Sequence, residues 1–576
     1  MSGGSGAGQA PRVLPAGPFG VLLEFDSLDK VQRCFAWVER WRTARPGVLV
    51  DVVPAEQTLM AIATFDDAGQ RGLREFVAAV GAVDWADAGT DDDAAPAADA
   101  ETVELPVTYD GPDLDDVTRL TGLAANEIVS LHTEAEFTVA FTGFAPGFAY
   151  LTGLPDALRV PRRDAPRTRV PTGAVALGGP YSGVYPRESP GGWQLIGQLA
   201  PWAPTLWDET RESPALLRPG TRVRFVDAAG QSAPDSSAPA KLTQATAAAT
   251  EPGLRVVRAG PLTTVQDLGR PGFAHLGVPR SGAVDRTSLK LANRLVGNEE
   301  GAAALELTLG GGAVQLEVGR WVAVTGARCE ITMTVPAPES ALEPAAAREV
   351  GPDRKSAPAA GPSHRPIVMR TVPGTAFYAP EGAVVEVGPA VAGVRAYLAM
   401  AGGVGGFEVL GSRSVDLLSG VGGRALGGGA RVGVGVPVGL PPDIPGLGMA
   451  PVRDVGDPVV VRLVLGPRSE WFTDDAVRDL VAARWTVGVE SNRTAVRLDG
   501  PSLARARDGE PASEPLVVGA VQVPRDGRPL LFLADHPVTG GYPVIACAHP
   551  ADVDAAGQAR PGTGIRFRMV GGLASR

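Results

Sequence analysis

About one residue in five of this 576-residue chain is glycine or proline, 74 and 52 of them. Proline fixes φ and lacks a donor, and glycine weakens helix and strand interiors, so such a chain turns often and builds few long helices. Short strands joined by tight turns are the natural solution. With 44% hydrophobic and 20% charged residues, the chain has enough apolar material for packed cores, and wholesale disorder is excluded. At roughly 100–200 residues per domain, the length predicts three to five domains.

Lysine and arginine number 53 against 64 aspartates and glutamates, a net charge of −11. That balance argues against nucleic acid or an anionic membrane as a partner. No run of about 18 apolar residues exists to span a bilayer. The N-terminal stretch lacks the basic start and apolar run of a signal peptide, so the expected location is cytoplasmic. Cys34, Cys329 and Cys547 are too far apart to give a disulfide framework or a zinc spacing. The lysines are Lys30, Lys241, Lys290 and Lys355, and none lies in a Walker-type phosphate loop. Bound anions therefore fall to arginine, backbone N–H groups or helix ends.

Residues 1–18 read as a flexible lead. From 19 to 84 a β-α-β-β-α pattern predicts a small α+β domain, with Val31, Cys34, Phe35, Val38 and Trp41 on one helical stripe. Its expected role is packing and orientation. An acidic loop (87–100) follows, then short Pro/Gly-punctuated strands over 101–227, the pattern of a closed barrel or sandwich. Residues 228–253 form a low-complexity linker, and 254–576 resume the β pattern with an exposed insertion at 336–366. RPGTRVRF (218–225) returns as RPGTGIRF (560–567), which suggests that the two halves contain related barrels.

The densest chemistry lies in FTGFAPGFAYLTGLP (141–155) and VPRRDAPRTRVPTGAVALGGPYSGVYPRESPGGWQLIGQ (160–198). Phe144, Phe148, Tyr150, Tyr185 and Trp193 can wall a water-poor pocket, and Arg162, Arg163, Arg167, Arg169 and Arg187 supply forked donors. The bland alternative is barrel core, turns and a solvated arginine rim. His132 is the histidine nearest this segment and a candidate acid or base. In the second half, Asp267, Arg270, Asp285 and Asn293 open the region, with Asp285 equally able to cap a helix. LGSRSVDLLSG offers Ser412, Arg413 and Asp416. SNR and ADHPVTGGYP put Asn492, Arg493, Asp535, His536 and Tyr542 near strand ends.

These residues carry a resemblance. GF-x-PGF-x-YL, PR-x-x-x-PR, G-x-YP and SPGGW resemble the B-subunit family of 5-oxoprolinase, which is also the subunit 1 family of allophanate hydrolase. TTVQDLGRPG, GVPRSGAVDRTSLKLANRLVGN, YLAMAGG, VLGSRSVDLLSG and TGGYPVIA resemble the companion C-subunit (subunit 2) family. The order, B then C, is that of a natural fusion. The resemblance implies a mainly β fold with a cyclophilin-like barrel in each half behind the small α+β domain. It also implies ATP and Mg²⁺, a lactam or amide substrate, ring opening of 5-oxoproline to glutamate, and a separate A subunit of 5-oxoprolinase as partner. Homo-oligomers are possible for such a component. No lysine lies in a biotin-attachment context, nor is one available for an amidase Ser-Ser-Lys core. Alternatives are a carboxyltransferase-like component processing urea or allophanate amides, and a regulatory protein of the kinase-inhibitor type.

Within this frame the expected catalytic residues are His132 for proton handling and Asp267 and Asp285 for Mg²⁺ or substrate ammonium. Arg162, Arg167, Tyr185, Ser189, Arg413 and Asn492 are expected to bind substrate or phosphate, and the metal site is left open. The two halves are expected to dock and share one polar site. The chain departs from the family pattern at Ala174, at Tyr181 and Ser182, at Thr494 to Val496 and at Pro537 to Thr539.

Overall fold

The computed structural model describes residues 10–85, 102–229 except 144, 164 and 166, then 231, 253–336, 366–439 and 456–571. The acidic loop, the body of the low-complexity linker and the body of the predicted insertion lie outside these residues, as does Phe144.

At the N-terminus four antiparallel strands run in the order Arg12–Pro15, Gly20–Glu24, Thr58–Ala63, Leu49–Pro54, backed by helices Leu28–Ala44 and Asp67–Gly81. Ser27 and Asp66 cap the helices, and Val31, Cys34, Val38 and Trp41 bury the predicted stripe against the sheet. Arg12–Pro15 falls inside the expected flexible lead. It is instead an edge strand, because Leu14 has an apolar face to join. One face of this sheet packs on its own helices. The other presents Leu14, Leu22, Val53 and Met60 to the second half of the chain.

A closed seven-stranded barrel follows. Around its circumference run Tyr181–Val184, Ala149–Thr152, Phe137–Thr142, Arg222–Asp227, Val103–Thr108, Gln194–Leu199 and Ala174–Gly178. A second closed barrel near the C-terminus runs Leu530–Phe532, Ala495–Asp499, Trp485–Val487, Gly564–Met569, Val459–Leu465, Val544–Ala548 and Ala520–Gln522. The two circuits correspond strand for strand. In each, the last strand pairs parallel to the first, with Val223 opposite Val103 and Ile565 opposite Val459. The repeated RPGT phrase supplies the turn into that last strand in both halves. Each barrel also carries a detached two-stranded flap, Arg167–Val170 with Ser189–Gly191 in the first and Glu514–Pro515 with Thr539–Gly540 in the second.

Between the barrels, residues 253–336 and 366–433 form six- and five-stranded sheets stacked over one apolar core, a separate layer that the sequence pattern alone merged with the second barrel. Helix Arg286–Leu295 covers the outer side of the five-stranded sheet. The halves dock directly: Thr142 Oγ1 donates to the His275 carbonyl at 2.7 Å, and Asp51 accepts from the Gly272 and Ala274 N–H groups at 2.8 and 3.2 Å. No helix among the described residues is long and apolar enough to cross a membrane.

Candidate functional site

Alternation along the first barrel's strands sends Val175, Leu177, Leu151 and Ile196 into its core and turns Ala174, Ala176, Tyr150 and Leu195 outward. With Phe141, Phe148, Tyr181, Tyr185 and Trp193, the outward set forms one aromatic wall. Tyr150 lies 5.2 Å from Trp193 and 5.3 Å from Tyr181, and Phe148 lies 5.1 Å from Tyr185, all edge-on. Glycine makes this packing possible. A Cβ at Gly143 would come within 2.6 Å of Phe148, and one at Gly191 within 2.2 Å of the Tyr185 hydroxyl.

Polar groups from three parts of the chain meet on this wall. The Arg162 guanidinium sits 5.7 Å from the Trp193 ring centroid. Arg162 and Ser513 act on the Tyr150 hydroxyl, and Glu56 acts on that of Tyr181. Glu56 comes from the turn between Leu49–Pro54 and Thr58–Ala63, and Ser513 immediately precedes the second flap. Burial pushes all three phenols up, Tyr185 to about 12, so each stays protonated at neutral pH and can donate. Arg162 has no carboxylate partner among the described residues and is free to meet an anion.

Of the expected site residues, Arg162 and Tyr185 belong to this aromatic wall. Arg167 is held elsewhere: with Arg163 it donates to Asp113, at 2.6 and 2.8 Å, and Asp113 also accepts from the Leu195 N–H. Ser189 lies in the flap strand beside it.

The three expected catalytic residues do not converge. His132 is fully buried among Phe137 and Phe225, between the Tyr109 hydroxyl at 2.7 Å and Ser182 Oγ at 2.8 Å. Burial drops its pKa to about 3, so it is a neutral core residue rather than a proton carrier. Asp285 is the helix cap: it accepts from the Ser288 N–H at 3.0 Å, and also from Ser288 Oγ and Gln558. Asp267 has its oxygens filled by Ser412, Ser414 and the N–H groups of Gly269 and Arg413. Both carboxylates already serve as acceptors within the chain. Arg413 pairs with Glu408 at the surface, and Asn492 accepts from the N–H groups of Thr494 and Ala495 within its own turn. Among the described residues no three His, Cys, Asp or Glu side chains could hold a metal.

The motif residues of the second half instead build a buried charge network. Arg493 donates to both oxygens of Asp535 at 2.9 Å and to Glu306, which also accepts from Tyr397 at 2.7 Å and faces Arg395. Sequence reasoning missed Glu56, Ser513, Glu306 and Arg395. Glu56 had a readable signal, a carboxylate in a tight turn between two strands, but nothing in the sequence placed that turn against a barrel 100 residues away.

Two family models match the chain: "Carboxyltransferase domain, subdomain C and D" over residues 11–217, and "Carboxyltransferase domain, subdomain A and B" over 276–350 and 364–569. The chain is 35% identical to the 5-oxoprolinase C subunit of Escherichia coli, over 54% of this chain and 90% of that protein. It is 50% identical to the 5-oxoprolinase B subunit of Escherichia coli O157:H7, over 22% of this chain and 57% of that protein's length. The solved structure of TTHA0988 superimposes with a TM-score of 0.77 at 34% identity, covering 95% of this chain and 99% of that one. Fold and matches together define a protein of paired carboxyltransferase-type barrel domains. The chain belongs to the family of 5-oxoprolinase B and C subunits, with homologues of both fused in that order.

Proposed function

We propose that this chain is the B/C component of an ATP-dependent 5-oxoprolinase, opening 5-oxo-L-proline to L-glutamate with a separate A subunit, and that the lactam is activated at the aromatic wall of the first barrel. The observation that carries this reading is the presence of both relatives, in order, on one chain.

A lactam carbonyl is a weak electrophile, so activation must develop charge on its oxygen. A protonated phenol among buried rings, Tyr150, whose oxygen accepts from Arg162 and Ser513, keeps its O–H to donate to that oxygen. The fork of Arg162 suits the substrate carboxylate or a phosphate. Glu56 is available to accept the lactam N–H, and the surrounding rings exclude water. ATP, when bound, supplies the phosphoryl group that makes the lactam oxygen a leaving group. Mg²⁺ finds no protein cage among the described residues, which suits an ion carried on nucleotide phosphates.

The test is reconstitution. The chain mixed with its cognate A subunit is expected to release glutamate only with ATP and Mg²⁺, and the chain alone to release none. Glutamate release by the isolated chain overturns the division of labour. Turnover of a urea-type amide in place of 5-oxoproline moves the chain to the amide-processing branch of its family.

A further inference from the structure

Six arginines of the described residues bury an Nε with no hydrogen-bond partner: Arg163, Arg280, Arg286, Arg320, Arg395 and Arg505. Four of them are anchored through their other nitrogens. Arg163 reaches Asp113, Arg320 the Gly319 carbonyl, Arg395 the Gly557 and Asn492 carbonyls, and Arg505 Glu510. Arg280 and Arg286 make no side-chain hydrogen bond and no ion pair with any described residue. Both guanidiniums stack on one ring, Phe65, at 5.2 and 5.7 Å from its centroid. Two like charges thus share a half-buried site with their donors unspent, which is costly unless something absent from the chain satisfies them.

The nearby carboxylates do not fill that role. Asp51 turns Oδ1 to the Gly272 and Ala274 N–H groups, and Asp554 takes the Thr287 N–H and hydroxyl at 3.1 and 2.6 Å. Each arginine feels the field of one of these acids without bonding to it, and Arg280 also feels the repulsion of Arg286. The location matters as well. Phe65 lies in the bend between strand Thr58–Ala63 and helix Asp67–Gly81 of the N-terminal unit, whereas Arg280 and Arg286 belong to the second half of the chain, so an anion held here would also bridge that seam.

We propose that Arg280 and Arg286, stacked on Phe65, form a binding site for a phosphate group, either free orthophosphate or a phosphate of a nucleotide. Two forked guanidiniums match the charge and the several oxygens of a phosphate better than those of a single carboxylate. The site is separate from the aromatic wall of the first barrel and stands whether or not 5-oxoproline is the substrate.

The experiment is a thermal-shift and calorimetric titration of the full chain with sodium phosphate, with ADP, and with sodium chloride at matched ionic strength. Saturable stabilisation by phosphate beyond the chloride control is expected. R280Q and R286Q should each weaken binding by about tenfold or more, since each removes a charge-assisted donor pair. Tighter binding of ADP than of orthophosphate, lost in the same variants, identifies the nucleotide as the source; equal or weaker binding identifies the free ion. Wild-type protein that shows no saturable response to either probe overturns the site, as does binding unchanged in both variants. Should either glutamine variant fail to fold, F65L serves in its place: it removes the shared ring but no charge and is expected to weaken phosphate binding, and phosphate affinity unchanged in it counts against the proposal.

Discussion

Each barrel pins its flap with one buried ion pair just beyond the first strand, but the charges are exchanged. In the first barrel the acid, Asp113, follows the strand and the flap supplies Arg167. In the second the base, Arg468, follows the strand and the flap supplies Glu514, with Glu24 of the N-terminal sheet as a second partner. The outer walls beneath the flaps diverge in the same way. On the second barrel the wall is mainly aliphatic (Val464, Leu516, Ala520, Val544, with Phe532 among them) and is sealed by the N-terminal sheet. On the first it is aromatic and phenolic, and what meets it is Glu56, Ser513 and Arg162. One duplicated surface thus became a structural joint in one copy and an aromatic wall met by polar groups in the other. The sheet that closes the joint also delivers Glu56 to that wall.

The matched ion pairs give the largest expected contrast. Arg468→Ala strands Glu514, 8% exposed, beneath the sheet, and should cost about 3–5 kcal/mol in denaturant unfolding. Arg167→Ala should cost only about 1 kcal/mol, because a quarter of its side chain is exposed and Asp113 keeps Arg163 and the Leu195 N–H. Equal losses would mean that the two flaps are held alike and the asymmetry is only apparent. Next is the joint itself. Leu22→Ala, at a fully buried position between sheet and barrel, should cost about 2–4 kcal/mol through transfer and cavity terms. A loss near zero would show that the sheet does not seal the second wall.

The barrels were legible because their signal is local: Gly/Pro punctuation, alternation, and a last strand announced twice by the same turn. The helices of the N-terminal unit were legible for the same reason, a stripe repeating at helical spacing. What stayed hidden was every contact made across sequence distance. Asp285 was readable both as a cap and as a ligand, and only the burial of Gln558 and Ser288 around it decided for the cap. His132 stood near the aromatic segment in sequence but on a helix whose inner face points into the barrel core. Tyr181 replaces the family's usual residue and was noted only as a departure. The fold sets that departure beside Glu56, on the aromatic wall of the first barrel.

A smaller contrast separates the two walls by function. Arg162→Gln should lower kcat/KM in the reconstituted system by roughly 1–3 kcal/mol of transition-state stabilisation, about tenfold to a few hundredfold, with unfolding unchanged. Tyr181→Phe should lower activity in the same direction, since it deletes a donor but no packing. Phe532→Leu on the opposite wall should move stability alone. If Phe532→Leu impairs turnover as strongly as Arg162→Gln, catalysis is not confined to the first wall.

The last effect is invisible at neutral pH. His132 is buried uncharged in the first barrel, with its pKa depressed from 6.5 to about 3. Between those values the unfolded chain takes up a proton that the folded chain refuses, so folding stability falls as pH drops below 6.5, by at most about 1.4 kcal/mol per pH unit, and levels off near pH 3. In the second barrel, His536 is also buried with a lowered pKa, but the neighbouring Asp535 and the Pro537 carbonyl both favour its charged form and soften its response. His132→Gln keeps a donor and an acceptor for Tyr109 and Ser182 while removing the titration. Its stability should therefore match the parent at pH 7 and exceed it progressively toward pH 5, whereas His536→Gln should change the acid limb less. Urea unfolding of the two variants at pH 7, 6 and 5 measures this. An acid limb unchanged by His132→Gln would show that the imidazole accepts its proton inside the folded barrel, and would return His132 to the set of groups able to handle protons.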